Sequence, residues 1–293
     1  MSVTVIADAV SNLFFDIRKK KNLDIRIMNL HLRMNDREFV CYDENLNLEE
    51  FLKHYYENMS EGVEVKTSLA SPGEFEKVFK EEIEKGNKVI CFTMASGISG
   101  TYNSACLARD LIKDETGKDD ITVIDSMTAG FGEGLQAIHA YELVKAGKTY
   151  EEVVKEAEAF KHFVRSDFTV DNIKYLVKTG RVPSVLARFM NLLKIKVMLK
   201  RSDKSNIAFA GSALGKTAAI STLAKTVTTN IDTKLDQIIY ITHCNCIEDA
   251  NKLKDILEKK GLKNIEIYDY DVISGAHIGP GSLAVFYVGK KAY

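Results

Sequence analysis

The chain has 293 residues, 45% of them apolar, and its 40 basic and 41 acidic side chains nearly cancel. This length predicts about two domains with a large core, and the near-zero net charge disfavours nucleic acid as a partner. The longest apolar runs are only strand-sized, and the five cysteines show no disulfide framework, so we expect a cytoplasmic protein with reduced thiols.

Strands and helices alternate in the first half of the chain. Apolar runs predict strands at 3–8, 25–34, 88–94 and 121–125, and helical patterns occur near 47–59, 71–86, 100–113 and 131–147. Ser71, Pro72 and Glu74 have the spacing of a helix start with a capping box. Strand–helix alternation is typical of a parallel sheet covered by helices on both faces.

The second half mixes strands and helices in a different order. A helix near 149–164 is followed by strands near 194–200, 206–211, 237–242, 264–269 and 282–288, with helices near 216–230 and 247–260. We place the domain boundary near residue 160, which gives an N-terminal domain of 1–160 and a C-terminal domain of 161–293.

Three motifs suggest cofactor sites but are incomplete. Residues 215–217 read Gly-Lys-Thr, the end of a phosphate-binding P-loop, yet Ala210 stands where the first glycine is required. The glycines of 130–134 have G-x-G-x-G spacing, which differs from the dinucleotide fingerprint and favours close helix–sheet packing. Residues 243–246 offer one histidine and two cysteines, too few for a zinc site. The sequence therefore predicts no metal and no nucleotide cofactor.

Hydroxyl-rich loops stand before two of the predicted helices. Thr67 and Ser68 lie in one loop and Ser96 in the other, and turns at the carboxyl ends of parallel strands converge at one edge of a sheet. Hydroxyls and free backbone N–H groups at helix starts favour a small anion such as a carboxylate or phosphate. His277 stands in a glycine-rich segment before the last strand, and Arg181 follows a glycine turn. These side chains are the candidate site.

The order of these motifs resembles the DegV family of bacterial fatty-acid-binding proteins over nearly the whole chain: "TS…SPGEF", "SGISGTYNSA", "KTGRV", "ITH" and "HIGPG". The resemblance implies two α/β domains, the first with a parallel sheet covered by helices on both faces and the second with a mixed sheet. It also implies a long-chain fatty acid between the domains, in an apolar tunnel. A separate fatty acid kinase would convert this ligand to the acyl phosphate used in phospholipid synthesis, so the chain would be a carrier and not an enzyme.

The resemblance also assigns roles to single residues. It implies that Thr67 and Ser96 hydrogen-bond the carboxylate and that His277 lies beside the head group. Arg181 and Ser68 would lie near the head group or the transferred phosphate. No cofactor is expected beyond the bound fatty acid.

An apolar segment after Pro183 suits the wall of an acyl tunnel. A helix there would carry a broad apolar face, although the same periodicity is typical of an ordinary buried helix. The candidate wall residues are Val185, Leu186, Phe189, Met190 and Leu193.

Residues 172–202 contain eight basic side chains and no acidic one. In a chain of nearly zero net charge, this segment predicts either a solvated rim or a local basic face. We expect a basic face to dock an acidic kinase surface or, transiently, the membrane edge.

Two other functions are compatible with the same residues. A serine hydrolase or acyltransferase would use Ser96 as nucleophile and His277 as base, but the sequence offers no third residue to orient the histidine. A lipid-sensing regulatory protein would use the same pocket as a carrier. In the 93–105 stretch, we expect Ser99 to cap the following helix, so that Ser96 is the hydroxyl that touches ligand.

Overall fold

The computed structural model describes residues 2–35, 37–41, 47–189 and 194–293. Within these ranges the strands are β1 (Val3–Asp8), β2 (Ile25–Met28), β3 (His31–Met34), β4 (Arg37–Val40), β5 (Val65–Ser68), β6 (Lys88–Thr93), β7 (Ile121–Asp125), β8 (Val164–Val170), β9 (Ile195–Arg201), β10 (Ile207–Leu214), β11 (Ile239–His243), β12 (Ile265–Asp269) and β13 (Leu283–Val288). The helices are α1 (Phe15–Lys20), α2 (Leu48–Ser60), α3 (Pro72–Glu84), α4 (Thr101–Thr116), α5 (Phe131–Lys145), α6 (Tyr150–Phe160), α7 (Lys174–Lys178), α8 (Lys216–Asn230), α9 (Ile247–Lys259) and α10 (Val272–Ile278).

The first sheet has four parallel strands in the order β2-β1-β6-β7. One face packs against α3 and α4 through an apolar cluster that includes Phe75 and Phe79. The other face packs against α5, where Phe131 is fully buried. Helices therefore cover both faces, and the prediction for the first domain is confirmed.

The single strand predicted at 25–34 is wrong, because the chain changes sheets at Asn29. A continuous strand would place Met28 and Leu30 on the same face, since side chains two apart point the same way. Instead these two residues belong to different apolar clusters, on opposite faces of the first sheet. After the break, β3 lies between β4 and β5 in a three-stranded antiparallel sheet in which Leu32 is opposite Thr67.

The third sheet is mixed, as predicted, and has six strands in the order β10-β9-β8-β13-β11-β12. Its neighbouring strands are antiparallel except β11 and β12, which are parallel. One face is covered by α8 and α9. The other faces the N-terminal part of the chain, so the two large sheets enclose a shared core.

Specific contacts join these two parts of the molecule. The ring of Phe131 on α5 stacks on that of Tyr240 on β11, with centroids 4.2 Å apart. Asn12 donates from its side-chain amide to the carbonyl of Asp269 at 2.7 Å and accepts from the backbone N–H of Asp271 at 3.1 Å. These bonds hold the start of α10, which carries His277.

The helix starts follow the local sequence signals. Ser71 accepts from the Glu74 backbone N–H while the Glu74 carboxylate accepts from the Ser71 N–H, so the predicted capping box is confirmed. Thr149 and Glu152 form a second box at α6. Each box satisfies backbone donors that have no partner inside the helix.

Gly134 on α5 is required for close helix packing. A Cβ atom there would lie 2.4 Å from the carbonyl oxygen of Ser11, which is a backbone atom and not the end of a flexible side chain. We expect Gly134→Ala to lower the free energy of unfolding by about 2 kcal/mol, a typical cost of overpacking. Urea unfolding measures this loss.

Gly73 provides the matched control. It also lies in a helix, α3, but a Cβ atom there would have no neighbour within 4 Å. Gly73→Ala should leave stability unchanged or slightly raised. Equal effects of the two substitutions on stability would show that the contact with Ser11 does not make a Cβ atom at position 134 destabilising.

Candidate functional site

A cavity of about 360 Å³ lies between the two large sheets. Its volume is within the range of small-molecule sites in proteins. The wall combines apolar side chains with hydroxyls and three nitrogen-bearing basic side chains, those of Arg181, Arg201 and His277. The lining residues are Leu30, Thr67, Ser68, Leu69, Met94, Ala95, Ile98, Ser99, Gly100, Met127, Thr128, Ala129, Ser166, Phe168, Leu176, Arg181, Arg201, Asn206, Ile207, Tyr270, Ile273, Ser274, His277 and Ile278.

Thr67 and His277 meet at one end of this cavity. Thr67 lies on β5 and His277 on α10, and Thr67 Oγ1 is 3.0 Å from His277 Nε2. Asp271 caps α10 by accepting from the backbone N–H of Ser274 at 2.7 Å. The structure therefore brings together two candidates that are 210 residues apart in sequence.

His277 is a neutral ring at physiological pH. Burial lowers its pKa from 6.5 to about 4, and the positive charge of Arg181 acts in the same direction. Its second ring nitrogen, Nδ1, is buried and has no hydrogen-bond partner within the described residues. The ring is thus a neutral hydrogen-bonding group aimed at Thr67.

We expect acid to destabilise the protein through His277. Between pH 6.5 and 4 the unfolded chain binds a proton that the folded ring does not, so stability falls as the pH falls. The pKa shift corresponds to about 3 kcal/mol, fully lost below pH 4. His277→Gln removes this titrating group. The free energy of unfolding of the variant should therefore rise relative to that of the wild type as the pH falls. Urea unfolding between pH 7.5 and 4.5 checks this, and a stability difference that is independent of pH would contradict it.

Other hydroxyls surround the Thr67–His277 pair. Ser68 follows Thr67 on β5, and Ser99 lines the cavity from the loop before α4. Ser274 lies one helical turn before His277, and its buried hydroxyl has no partner within the described residues. This end of the cavity therefore offers several neutral donors to an anion.

Ser96 lies elsewhere, contrary to expectation. It is exposed, it does not line the cavity, and its hydroxyl donates to Asp125 Oδ2 at 2.5 Å. Ser99, expected only to cap α4, lines the cavity in its place while its hydroxyl contacts that of Thr101 at 2.9 Å. The turn before α4 directs the two serines to different sides, and their order in sequence does not reveal which one faces inward.

Asp125 joins Ser96 to the opposite sheet. Its carboxylate also accepts from the hydroxyl of Ser205, in the β9–β10 turn, at 2.8 Å. A Cβ atom on Gly97 would lie 2.5 Å from the Ser205 carbonyl oxygen, so the two turns are in close contact. The glycine in the Ser96 loop thus permits an inter-sheet contact. Ser96 bonds Asp125 and His277 contacts Thr67, so Ser96 and His277 do not form the nucleophile–base pair considered for a serine hydrolase.

Arg181 lines the cavity near His277 and is exposed. It follows Gly180, whose φ of 71° is in the left-handed region, and its guanidinium donates to the Thr179 carbonyl. The glycine turn therefore places this cation at the edge of the Thr67–His277 end of the cavity.

The residues expected to form a tunnel wall do not line this cavity where the structure describes them. Val185, Leu186 and Phe189 lie in a short 3₁₀ helix and do not line the cavity. Val185 is 58% exposed, and Phe189 stacks on Phe209. Met190 and Leu193 lie outside the described residues. Strand faces and loop side chains form the apolar wall instead: Leu30, Met94, Ile98, Met127, Phe168, Leu176, Ile207, Ile273 and Ile278.

The basic segment 172–202 is not one exposed face. Lys196 is buried and donates to Asp171 at 2.7 Å, and Arg201 is buried at the cavity wall. The exposed cations are Lys178, Arg181, Arg188 and Lys194. Strand alternation turns part of the charge inward, which composition does not reveal.

The incomplete motifs have structural roles. Lys216 begins α8 and donates to Asp171 at 3.2 Å, and the glycines of 130–134 are in close contact with side chains or backbone, as expected. No group of three or more His, Cys, Asp or Glu residues that could hold a metal occurs within the described ranges. In the same ranges, no helix is both long and apolar enough to cross a membrane.

Comparison with known proteins places the chain among related sequences. A family model described as an uncharacterised protein of the DegV family matches residues 2–290. A DegV domain-containing protein of Clostridium perfringens is 31% identical over 270 residues, 92% of this chain and 92% of that protein.

Solved structures share the fold over nearly the full length. A DegV family protein from Ruminococcus gnavus, refined with vaccenic acid, is 27% identical with a TM-score of 0.82 and covers 98% of this chain and 99% of its own. The Fatty Acid Kinase B3 protein of Streptococcus pneumoniae, loaded with linoleic acid, is 21% identical with a TM-score of 0.81, covering 98% of this chain and 99% of its own.

Proposed function

The chain belongs to the DegV family, and on this basis we propose that it binds a long-chain fatty acid in the cavity between its sheets. The carboxylate would lie at the Thr67–His277 end and the acyl chain along the apolar wall. The observation that carries the proposal is a single cavity with neutral donors at one end and an apolar lining beyond them.

The apolar wall supplies most of the affinity. Each buried methylene contributes about 0.8 kcal/mol, which the cost of immobilising the chain then reduces. Side chains from both sheets and from α10 form this wall, including Phe168, Ile98 and Ile273. Binding should therefore strengthen with chain length until the cavity is full.

The head-group end fixes the position of the carboxylate. With its hydrogen on Nε2, His277 donates to Thr67 Oγ1, and this leaves the Thr67 hydroxyl hydrogen free to donate to the ligand. Because the His277 ring is neutral, one ring nitrogen can donate to Thr67, and the ring needs no buried counter-ion. Ser99 and Ser274 add hydroxyl donors beside it. We assign carboxylate binding to Thr67 and His277, supported by these serines and by Ser68.

We further propose that the chain is a carrier that acts with a separate fatty acid kinase. A carboxylate oxygen of the ligand would attack the terminal phosphorus of ATP bound to the kinase, forming the acyl phosphate and releasing ADP. Exposed Arg181 is placed to offset negative charge on the transferred group. The four exposed cations of segment 172–202 would contact an acidic kinase surface or the membrane edge.

Extraction of lipid from the purified protein tests the proposal. We expect mass spectrometry to find long-chain fatty acids, and we expect the stripped protein to bind them again. Phosphorylation of the bound acid in the presence of a fatty acid kinase then tests the carrier role. A stripped protein that binds no fatty acid would overturn the proposal.

Thr67→Val should weaken fatty acid binding by about 10- to 100-fold. The substitution keeps the shape of the side chain but removes the hydroxyl, and one hydrogen bond to a charged group contributes about 1.5–3 kcal/mol. Isothermal titration with hexadecanoic acid measures the change. Thr217→Val, at an exposed position on α8, is the matched control and should bind like the wild type. Equal affinities for both variants would contradict the assignment of Thr67.

A further inference from the structure

Arg201 also lines the cavity, away from the Thr67–His277 end. It is the last residue of β9, and only 3% of its surface is exposed. In the pairing of β8 with β9, it lies one residue beyond the Asp167–Lys200 pair. Ser166, Asn206 and Ile207 line the cavity beside it. Ile207 is the partner of Arg201 on β10, so residues of β8, β9 and β10 meet at this part of the cavity wall.

Arg201 and His277 are at opposite ends of the cavity. Strand β8 begins beside Arg201 and runs to Val170, after which the chain continues to Leu176 and Arg181 at the head-group end. Strand β13, which follows α10, begins with Leu283 opposite Thr169, near the end of β8. The four steps along β8 from Ser166 to Val170 span roughly 13 Å. A ligand held at Thr67 and His277 would therefore approach Arg201 with its tail.

The guanidinium of Arg201 has unused donors. Its Nη1 atom donates to the carbonyl of Lys161 at 2.7 Å, and its plane lies over the ring of Tyr293, 4.3 Å from the centroid. Its Nε and Nη2 atoms are buried and have no hydrogen-bond partner within the described residues. Buried donors without acceptors are costly, so an oxygen atom that reached them from the cavity would be favoured.

The charged neighbours do not neutralise Arg201 by direct contact. The carboxylate of Asp125 already accepts from Ser96, Ser205 and the Met127 backbone N–H. Burial lowers the pKa of Arg201 to about 10, and Arg165 adds a like charge while Asp125 and Asp203 oppose it. The guanidinium is therefore still a cation at neutral pH.

We propose that Arg201 recognises a second oxygen function on the ligand, near the tail of the acyl chain. This inference rests on the proposed fatty acid binding and narrows its ligand class to oxygenated acyl chains: hydroxy, oxo or dicarboxylic acids. An ordinary hydrocarbon tail leaves the Nε and Nη2 donors without an acceptor. A hydroxyl, carbonyl or carboxylate oxygen accepts from them.

Paired ligands provide the test. The dissociation constants of dodecanoic, tetradecanoic and hexadecanoic acids are compared with those of their ω-hydroxy and α,ω-dicarboxylic counterparts on the stripped wild-type protein. At the chain length that reaches Arg201, we expect the better oxygenated partner to bind about tenfold or more tightly than the plain acid. The hydroxy and dicarboxylic series distinguish a neutral from a charged acceptor.

Arg201→Met should abolish this preference and strengthen the binding of the plain acids. Arg165→Met is the matched control, because the Arg165 guanidinium also lies over the Tyr293 ring, 3.8 Å from its centroid, but Arg165 does not line the cavity. The control should keep the wild-type ratio. The wild-type comparison holds even where a variant does not fold.

Two outcomes overturn the inference while leaving the proposed function intact. One is a wild-type protein that binds every plain acid at least as tightly as its oxygenated partners. The other is a preference that survives unchanged in folded Arg201→Met. Failure to bind any of these acids contradicts fatty acid binding itself and the inference with it.

Discussion

Ala129→Phe is expected to weaken the binding of hexadecanoic acid by more than about 100-fold. Ala129 lines the cavity from the turn between β7 and α5, and a phenyl ring there would occupy part of its 360 Å³. Excluding about four methylenes at 0.8 kcal/mol each removes about 3 kcal/mol of binding free energy. Titration of the stripped protein with acids of increasing length measures the effect, which should be largest for the longest chains.

Ala146→Phe is the control for this substitution. Ala146 is exposed at the end of α5, so an added ring there meets solvent and should leave the affinity unchanged. Equal affinity of the wild type and Ala129→Phe for every chain length would show that the ligand does not occupy this cavity.

Asp271→Asn is expected to stabilise the protein increasingly as the pH rises from 5 to 8. Burial raises the pKa of Asp271 from 3.8 to about 8, so the folded state keeps a proton that the unfolded chain loses near pH 4. Stability therefore falls with rising pH by up to about 1.4 kcal/mol per unit. The asparagine oxygen still accepts from the Ser274 N–H. Between pH 5 and 8, the free energy of unfolding of the variant should rise by about 3 kcal/mol or more relative to that of the wild type.

Urea unfolding at each pH measures this gain, with Asp24→Asn as control because Asp24 is exposed. Three other buried carboxyl groups, Asp8, Glu133 and Asp167, also have raised pKa values through burial, so a residual slope is expected in the variant. A stability difference that stays constant between pH 5 and 8 would show that Asp271 does not titrate in this range.

The sequence predicts most strands of the two large sheets because their signals are local, but it misses β8, an inner strand of the six-stranded sheet. Apolar runs of strand length alternate with helices whose starts carry caps, such as Ser71 with Glu74, and each cap depends only on residues three apart. The break at Asn29 was missed because it depends on two cores that exist only after folding. Met28 faces one core and Leu30 the other.

The candidate site is predictable to the level of the loop but not of the side chain. Thr67 and His277 meet although no local pattern links them, and the resemblance to a known family is what paired them. The same resemblance selected Ser96, whereas Ser99 faces the cavity. Which of two serines three residues apart points inward depends on the turn between them.

Arg201 was hidden by its context in sequence. It stands in a basic run that predicts a solvated rim, and its burial depends on the register of β9. Alternation along the strand places Val197, Leu199 and Arg201 on the face toward the first sheet, with Lys200 on the other. The sequence signal for its burial is the apolar pair Val197 and Leu199, which stand four and two residues before Arg201 and therefore on the same face of the strand.

The two hydroxyl bonds to Asp125 have a kinetic consequence. Ser96 belongs to one side of the cavity and Ser205 to the other, and both donate to the same carboxylate. Any route of ligand exchange that parts the two sheets must break at least one of these bonds during opening, whether the ligand is entering or leaving. Under the proposed function, the apolar wall and the Thr67–His277 end would set the equilibrium affinity for a fatty acid, whereas the Ser205–Asp125 bond would add to the opening barrier and so lengthen its residence time.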